Sequence, residues 1–350
     1  MGLNSLVLYP AGCRAGRRLS RIAWACLFAV GMASSALGQT AQLHLVSTAW
    51  PPFTNPPGQP RFALDLVNEA ITRIGSSADT TIVADSSFTT SLLSGKFDGS
   101  AAAWRDAERE TVLLYSDPYL ENRLILVGRR GSDVSAKRLS DLAGKRIVLV
   151  GGYSYGDEVA NGKGPIFLRS SSEEDSLAKL LANQADYTLM DELVVEYILQ
   201  NYGEQARTRL AVGSTPLITR TLHLAIRRSR PGVEGLIRRF NDEIRKMVAD
   251  RTYHRLLRLD WILADVDGDG KRELVPRTDQ AGPTPPSRGY SLFSTATPVD
   301  VSPPPSTEQR FYLGGSIYEN WASVPENYKV SNSDAPSAAR STATLFTFRW

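Results

Sequence analysis

The sequence has few of the residues that most often carry nucleophilic catalysis or bind soft metals. Its 350 residues include two cysteines and three histidines, and both cysteines, Cys13 and Cys26, lie near the N-terminus. Beyond residue 38 the chain therefore offers no disulfide, no thiolate nucleophile and no cysteine metal site. The histidines are far apart and lack metal-ligand spacing, which favours structural roles for them.

The N-terminal segment has the composition of a secretory signal peptide. Four arginines precede an apolar stretch over residues 22–36, and Ala36, Leu37 and Gly38 supply small residues for cleavage. A membrane anchor is the alternative, but about 15 apolar residues fall short of the ~20 that span a bilayer. We expect residues 1–38 to be removed near Gly38. The mature protein would then be periplasmic or otherwise extracytoplasmic, with no membrane span.

Removing that segment leaves almost no net charge. The whole chain has 40 basic and 37 acidic residues, and four of its arginines precede residue 39, which leaves 36 basic residues against 37 acidic ones. A near-neutral chain gives no support to a nucleic acid or an anionic membrane as its partner.

The spacing of apolar residues predicts strands that alternate with helices. The predicted strands cover residues 42–48, 80–84, 100–103, 124–127, 146–150, 188–190 and 222–226. The predicted helices cover residues 62–74, 89–93, a segment that begins at a Ser171–Glu174 capping box, and 233–248. This alternation is typical of an α/β fold with mainly parallel sheets.

The chain changes character after Trp261. Eight of the twenty prolines fall between Pro276 and Pro305, so residues 276–306 are predicted to form an extended linker. An aromatic segment follows at residues 311–330, ahead of a tail rich in Ser and Ala.

An acidic stretch precedes this linker and has the oxygen donors that a hard cation prefers. The backbone carbonyl of Lys271 could add to four carboxylates, those of Asp265, Asp267, Asp269 and Glu273. It is not an EF-hand, because Pro276 occupies position 12. The stretch resembles the short calcium loops of FG-GAP-type β-hairpins, which implies a structural calcium ion. A solvated acidic turn is the alternative.

Seven short stretches occur in a distinctive order and spacing. They are Trp50-Pro51-Pro52-Phe53, Phe62-Ala63-Leu64-Asp65-Leu66, Gly95-Lys96-Phe97-Asp98-Gly99, Glu108-Arg109-Glu110, Ser116-Asp117-Pro118-Tyr119, Asp141-Leu142-Ala143-Gly144-Lys145 and Ala185-Asp186-Tyr187-Thr188-Leu189-Met190-Asp191. With these stretches, residues 47–262 resemble the extracytoplasmic solute-binding proteins that serve polar amino-acid ABC importers.

The resemblance implies a two-lobed type 2 periplasmic binding protein fold, with a ligand cleft between the lobes and a mostly extended C-terminal extension. The first lobe would comprise residues 40–127 and 215–262, the second 128–214, and the extension 263–350. Such a protein captures an amino-acid-like molecule by hinge closure and delivers it to the membrane subunits of an ABC importer. It is not an enzyme, and it needs no cofactor for binding.

The resemblance also implies which residues would contact the ligand. Arg109 would bind an α-carboxylate with its planar guanidinium, and Asp191 would bind an α-ammonium. Ser154 would assist at the carboxylate, and Trp50 would pack on the ligand. Each residue has a structural alternative: a surface charge for Arg109, a helix N-cap for Asp191, a turn for Ser154 and the core for Trp50.

One position departs from the family pattern. Ser or Thr is usual five residues before the arginine, but here that residue is Trp104, and Ala102 precedes it where a second small hydroxyl is common. A large indole would reshape the pocket or stack on the ligand. The departure puts an ordinary α-amino acid in doubt as the ligand.

Two other function classes stay open at this point. A dehydratase on the same fold would need a general acid or base, for which Glu158 and Glu121 are the available carboxylates. A sensory or interaction protein without a transporter would use the acidic loop and the aromatic C-terminal segment to contact a partner.

Overall fold

The structure is a computed structural model that describes Gly2 and residues 42–160, 164–257, 261–286, 290–291 and 309–330. The predicted signal peptide, its cleavage position near Gly38 and both cysteines lie outside the described residues, as does much of the predicted linker. No helix of the described residues is long and apolar enough to cross a membrane.

Nine strands form the main sheet of the described residues. They are β1 (Gln42–Thr48), β2 (Ser77–Val83), β3 (Gly99–Trp104), β4 (Leu113–Tyr115), β5 (Leu120–Arg129), β6 (Arg146–Val150), β7 (Ile166–Ser170), β8 (Tyr187–Asp191) and β9 (Leu210–Arg227). Their order is β2-β1-β3-β9-β5-β8-β6-β7, and β4 also pairs with β9.

Helices pack against the strands in both halves of this sheet. They are α1 (Phe62–Arg73), α2 (Asp85–Leu93), α3 (Ala107–Glu110), α4 (Asp157–Ala160), α5 (Glu173–Leu181), α6 (Glu192–Arg209), α7 (Val233–Ala249) and α8 (Thr252–Leu257). The apolar residues Leu64, Val67 and Ile71 follow helical spacing in α1 and are fully buried. This stripe is what fixes α1 against the sheet.

The strand directions divide the sheet into two lobes. Strand β1 runs parallel to β2 and β3, and β6 runs parallel to β7 and β8. Strands β5 and β9 pair antiparallel with each other from Leu120 opposite Leu222 to Arg129 opposite Leu210. We call β1–β4 with α1–α3, α7 and α8 the first lobe, and β6–β8 with α4–α6 the second lobe. The α/β fold and its two-lobed arrangement are thus as predicted from the sequence.

Several predicted boundaries differ from the structure. Strands β5 and β9 are much longer than the predicted segments 124–127 and 222–226. They run through the predicted lobe limits at 127 and 214, so those limits stay predictions. The predicted capping box at Ser171 is wrong by one residue, because Ser172 is the N-cap of α5 and its side chain accepts from the Asp175 amide.

The C-terminal extension contributes a second sheet of five strands among the described residues. These are β10 (Trp261–Ala264), β11 (Glu273–Pro276), β12 (Tyr290–Ser291), β13 (Arg310–Leu313) and β14 (Ser316–Tyr318), in the order β12-β10-β11-β13-β14. A small apolar cluster is built from Leu274, Phe311, Leu313 and Val324. Part of the extension is therefore folded around its own core, and β10 spans the predicted limit at residue 262.

Candidate functional site

A cavity of about 40 Å³ lies between the two lobes, and we call it the cleft cavity. The segments that follow β1, β3 and β6 reach it, because the carboxyl ends of parallel strands are where such folds place their ligands. Its principal side chains are Trp50, Phe88, Trp104, Arg109, Tyr153 and Ser154. Four of the five predicted ligand residues are thus brought together, and Asp191 does not line this cavity.

Aromatic rings from both lobes close the cleft cavity. Trp50 contacts Trp104 and Tyr153 edge to face, with ring centroids 5.6 Å and 5.8 Å away, and Trp104 lies 5.5 Å from Tyr153. Both tryptophans are 6% exposed. Edge-to-face packing at these distances is favourable, so the rings hold the two lobes together.

Arg109 is the cation of this cavity. It lies in α3, whose N-cap Asp106 accepts hydrogen bonds from the amides of Glu108 and Arg109. The Arg109 Nη2 donates to Thr89 Oγ1 at 2.7 Å and, across the cleft, to the Gly152 carbonyl at 3.4 Å. Its Nε and Nη1 have no hydrogen-bond partner among the described residues, which leaves N–H groups of a fixed cation available to an anion in the cavity.

The turn after β6 places Ser154 beside these charges. Gly152 adopts a left-handed conformation with φ of 84°, which glycine tolerates without steric cost and which turns the chain into the cleft. Burial acts to raise the pKa of Asp106, but the Arg109 amide and the adjacent Ser154 side chain outweigh it and lower that pKa. Ser154 therefore meets the first lobe at Asp106 as well as lining the cavity.

Asp191 lies behind Trp104 rather than in the cavity. The Trp104 Nε1 donates to Asn122 Oδ1 at 2.7 Å, and Asn122 Nδ2 donates to Asp191 Oδ2 at 3.0 Å. Asp191 also accepts from the Arg123 amide and, as N-cap of α6, from the Leu193 amide. The side chain is fully buried, and this burial raises its pKa to about 7. The structure shows Asp191 as the N-cap of α6, and its contact with a ligand stays a prediction.

Three other acidic residues singled out in the sequence also lie away from the cavity lining. Asp98 joins β1 to the turn between β9 and α7, since its carboxylate accepts from the His44 amide and pairs with Arg230. Glu121 is fully buried near Arg123, and Glu158 is exposed on α4. Neither carboxylate nominated for an enzyme is therefore placed to act on a molecule in the cavity.

Sequence reasoning missed two aromatic residues of the site. Phe88 lies 5.6 Å beneath the Arg109 guanidinium, and Tyr153 is the ring through which the second lobe contacts both tryptophans. Tyr153 is adjacent to Ser154, which was the available signal for it. Phe88 lies one residue before the predicted helix 89–93. In the structure α2 begins earlier, at Asp85, so Phe88 belongs to the helix.

The acidic stretch forms the loop of the β10–β11 hairpin. Ligand oxygens of Asp265, Asp267 and Asp269 lie within 4.8 Å of one another. Backbone amides hold the carboxylates inward: those of Gly268 and Gly270 donate to Asp265. This donor set fits a hard cation such as calcium.

Arg310 from β13 also contacts this loop. Its Nη1 lies 3.0 Å from Asp269 Oδ2 and 2.8 Å from Glu273 Oε1. Glu273 is fully buried, and its Oε2 accepts from the Val266 amide at 3.0 Å. The carboxylate predicted to close the metal site is thus paired with an arginine in this structure. Lys271 is exposed, and its amide donates to Asp269.

A protein-family model matches residues 44–262, and its description is "Bacterial extracellular solute-binding proteins, family 3". The match covers the main sheet, its helices and the first two residues of β10. Among curated proteins, none matches this chain.

Several solved structures are similar to the same region. A mutant of the arginine-binding protein from T. maritima is 25% identical, with a TM-score of 0.51, and the match covers 62% of this chain and 93% of that one. The GluR0 ligand-binding core from Nostoc punctiforme, in complex with (L)-glutamate, is 20% identical with a TM-score of 0.51, covering 61% and 96%. An arginine transport system periplasmic binding protein from Legionella pneumophila is 23% identical with a TM-score of 0.51, covering 61% and 97%.

Proposed function

Because the chain belongs to the bacterial extracellular solute-binding proteins of family 3, we propose that it captures a small amino-acid-like solute between its two lobes. The observation that carries the proposal is Arg109, whose Nε and Nη1 lack partners among the described residues at a cavity that both lobes line. A structure 25% identical to this chain is an arginine-binding protein, which supports a ligand related to amino acids.

We propose that the solute is captured outside the cytoplasm and passed to the membrane subunits of an ABC importer. The predicted signal peptide and the family support this role. Ligand contacts with both lobes would stabilise the closed arrangement, in which Arg109 already reaches the Gly152 carbonyl of the opposite lobe. No catalytic step is part of the proposal.

A thermal-shift screen of the mature protein against amino acids and small carboxylic acids tests this function. A ligand that binds only the folded protein must raise its melting temperature. We expect at least one acid to do so for the wild type and for Arg105→Ala, and none to do so for Arg109→Ala. Arg105 is a matched control because it is an exposed arginine on the same segment, paired with Glu110 at 2.5 Å. Equal shifts in Arg109→Ala would overturn the assignment of the site.

We also propose that the β10–β11 loop holds a structural calcium ion through Asp265, Asp267, Asp269 and the Lys271 carbonyl. The clustering of the three aspartates supports it. Glu273 would join them only by sharing or leaving its contact with Arg310.

A further inference from the structure

An α-amino acid carries two opposite charges, but the cleft cavity offers a partner for one of them. Arg109 supplies a fixed positive charge at the cavity. None of the described residues that line it carries a carboxylate. A carboxylate ligand therefore pairs with Arg109, whereas an α-ammonium would be desolvated without a carboxylate partner, which is costly.

Asp191, the carboxylate expected to bind an α-ammonium, accepts hydrogen bonds within the protein instead. Asp191 is fully buried and accepts from the Leu193 amide, the Arg123 amide and Asn122. Asn122 is in turn bonded to the Trp104 indole, which is the group that faces the cavity. A ligand in the cavity therefore meets the Trp104 indole rather than Asp191.

Three other acidic groups of the two lobes do not replace Asp191. Asp85 and Glu173 are absent from the cavity lining, and burial raises their pKa values, to about 6 for Asp85 and about 8 for Glu173. Asp106 already accepts from the Arg109 and Glu108 amides. Glu173 favours the neutral form at neutral pH, whereas Asp85 and Asp106 are hydrogen-bonded within the protein, Asp85 by the Thr48 side chain.

The aromatic walls do not form a cage for a cation either. A cage would hold the rings apart around an empty centre. Here Trp50, Trp104 and Tyr153 contact one another, with all three centroid distances between 5.5 Å and 5.8 Å. They form an apolar wall of the cavity that Arg109 also lines, rather than a socket for an ammonium.

The size of the cavity agrees with a small anionic group. Its volume of about 40 Å³ holds roughly three water molecules, at ~10–15 Å³ for each. A group of a few non-hydrogen atoms, such as a carboxylate, fits this space beside Arg109.

We infer that this cleft selects a small carboxylate that lacks an α-ammonium group, bound by Arg109, covered by the aromatic rings, and kept from Asp191 by Trp104. The inference rests on the proposed function and names the ligand class of the same site. The residue that decides the selectivity is Trp104, because its indole covers Asn122 and Asp191.

Matched pairs of acids test the inference by isothermal titration calorimetry on the mature protein. Propionate and alanine differ by the α-ammonium, as do acetate and glycine, and glycine betaine adds a quaternary ammonium to the acetate skeleton. We expect propionate to bind at least tenfold more tightly than alanine, and acetate more tightly than glycine or its betaine. Binding of propionate should be lost in Arg109→Ala and persist in Arg105→Ala.

Variants at Trp104 separate selectivity from folding. Trp104→Phe keeps an aromatic cover and should keep the preference for propionate. Trp104→Ser opens the path to Asn122 and Asp191, so the preference should move at least tenfold towards alanine. Circular dichroism and thermal melting identify any variant that has not folded, and the wild-type pairs decide the inference without the variants.

The outcomes distinguish this inference from the function on which it rests. If alanine or another amino acid binds the wild type as tightly as its partner acid does, and its binding needs Arg109, the inference is wrong and the proposed function stands. If glycine betaine binds more tightly than acetate and glycine, the cavity has a cation site and the inference is wrong. If no acid and no amino acid binds the folded protein, both the inference and the proposed function are wrong.

Discussion

Glu173 is the first residue of α5, and its carboxyl group lies near the rings of the cleft cavity. Its Oε2 has no exposed surface. Burial raises the pKa of Glu173 to about 8, and the neighbouring acids Glu174, Asp191 and Asp85 add to the shift, while the Trp50 side chain opposes it. At neutral pH the folded protein therefore favours the protonated form of this group.

This carboxyl group should make the stability of the closed cleft depend on pH. The pKa rises on folding from its ordinary value of 4.5 to about 8. The stability that the neutral form contributes is complete below about pH 4.5 and is lost as the pH rises through about 8. We expect Glu173→Gln, which stays neutral, to melt at a higher temperature than the wild type at about pH 9, with the difference disappearing near pH 4.

Calorimetric melting across that pH range measures the difference. Glu204→Gln is a suitable control, because Glu204 is an exposed glutamate on α6 and should leave the pH profile unchanged. A Glu173→Gln protein whose melting temperature follows the wild type in parallel at every pH would show that Glu173 is ionised in the folded state.

At the scale of single residues, the sequence predicted which residues lie at the cavity better than what their side chains contact. The family resemblance named Arg109, Trp50 and Ser154 as ligand residues, and all three line the cavity. It indicated both a ligand contact and an N-cap for Asp191, because both roles suit a carboxylate at a strand-to-helix junction. It gave no sign of the contact between Trp104 and Asn122, which joins residues 18 positions apart and leaves no periodic signal.

At the scale of elements, the N-terminus of α5 distinguishes two adjacent serines. The Ser172 side chain accepts from the Asp175 amide and caps the helix, whereas Ser171 lies outside it and donates to the Asp175 carboxylate. Loss of an N-cap hydroxyl typically costs about 1 kcal/mol. We expect Ser172→Ala to lower the free energy of unfolding by about that amount, and Ser171→Ala by less, in urea denaturation. A larger effect at Ser171 would restore the capping box predicted from the sequence.

The β10–β11 hairpin should respond to calcium. Binding of the ion to Asp265, Asp267 and Asp269 would stabilise the hairpin, so about 5 mM calcium should raise the melting temperature and magnesium should raise it less. Asp267→Asn should abolish the response, while Asp279→Asn, at an exposed acid that pairs with Arg251 outside the loop, should retain it. No response in the wild type would contradict the proposed calcium site.

Elements were predictable from the sequence where their signal is local. The amphipathic stripe of α1 and the apolar run of β6 are both recovered, since each depends on a few neighbouring residues. The centre of β9 contains Gly213, Ser214 and Pro216, which interrupt the strand pattern, so its length was missed. The sheet of the extension was missed because β11 pairs with β13 across more than thirty residues, and such pairing has no period.

At the scale of the whole molecule, two strands connect the lobes. Strands β5 and β9 pass from one lobe to the other and are paired along their length, so a rotation of the lobes must bend both. At the cleft, the two lobes contact each other through the hydrogen bond from Arg109 to Gly152 and through the aromatic rings. This arrangement allows hinge closure to be controlled by what occupies the cavity.

A titration of tryptophan fluorescence tests the central claim most directly, because Trp50 and Trp104 line the cavity that is claimed to bind the solute. Propionate and, separately, alanine would be added to the wild type, to Arg109→Ala and to Arg105→Ala. The account predicts a saturable change of emission with propionate in the wild type and Arg105→Ala, and none in Arg109→Ala. No change with either compound, or an equal change in Arg109→Ala, would contradict a solute site built on Arg109.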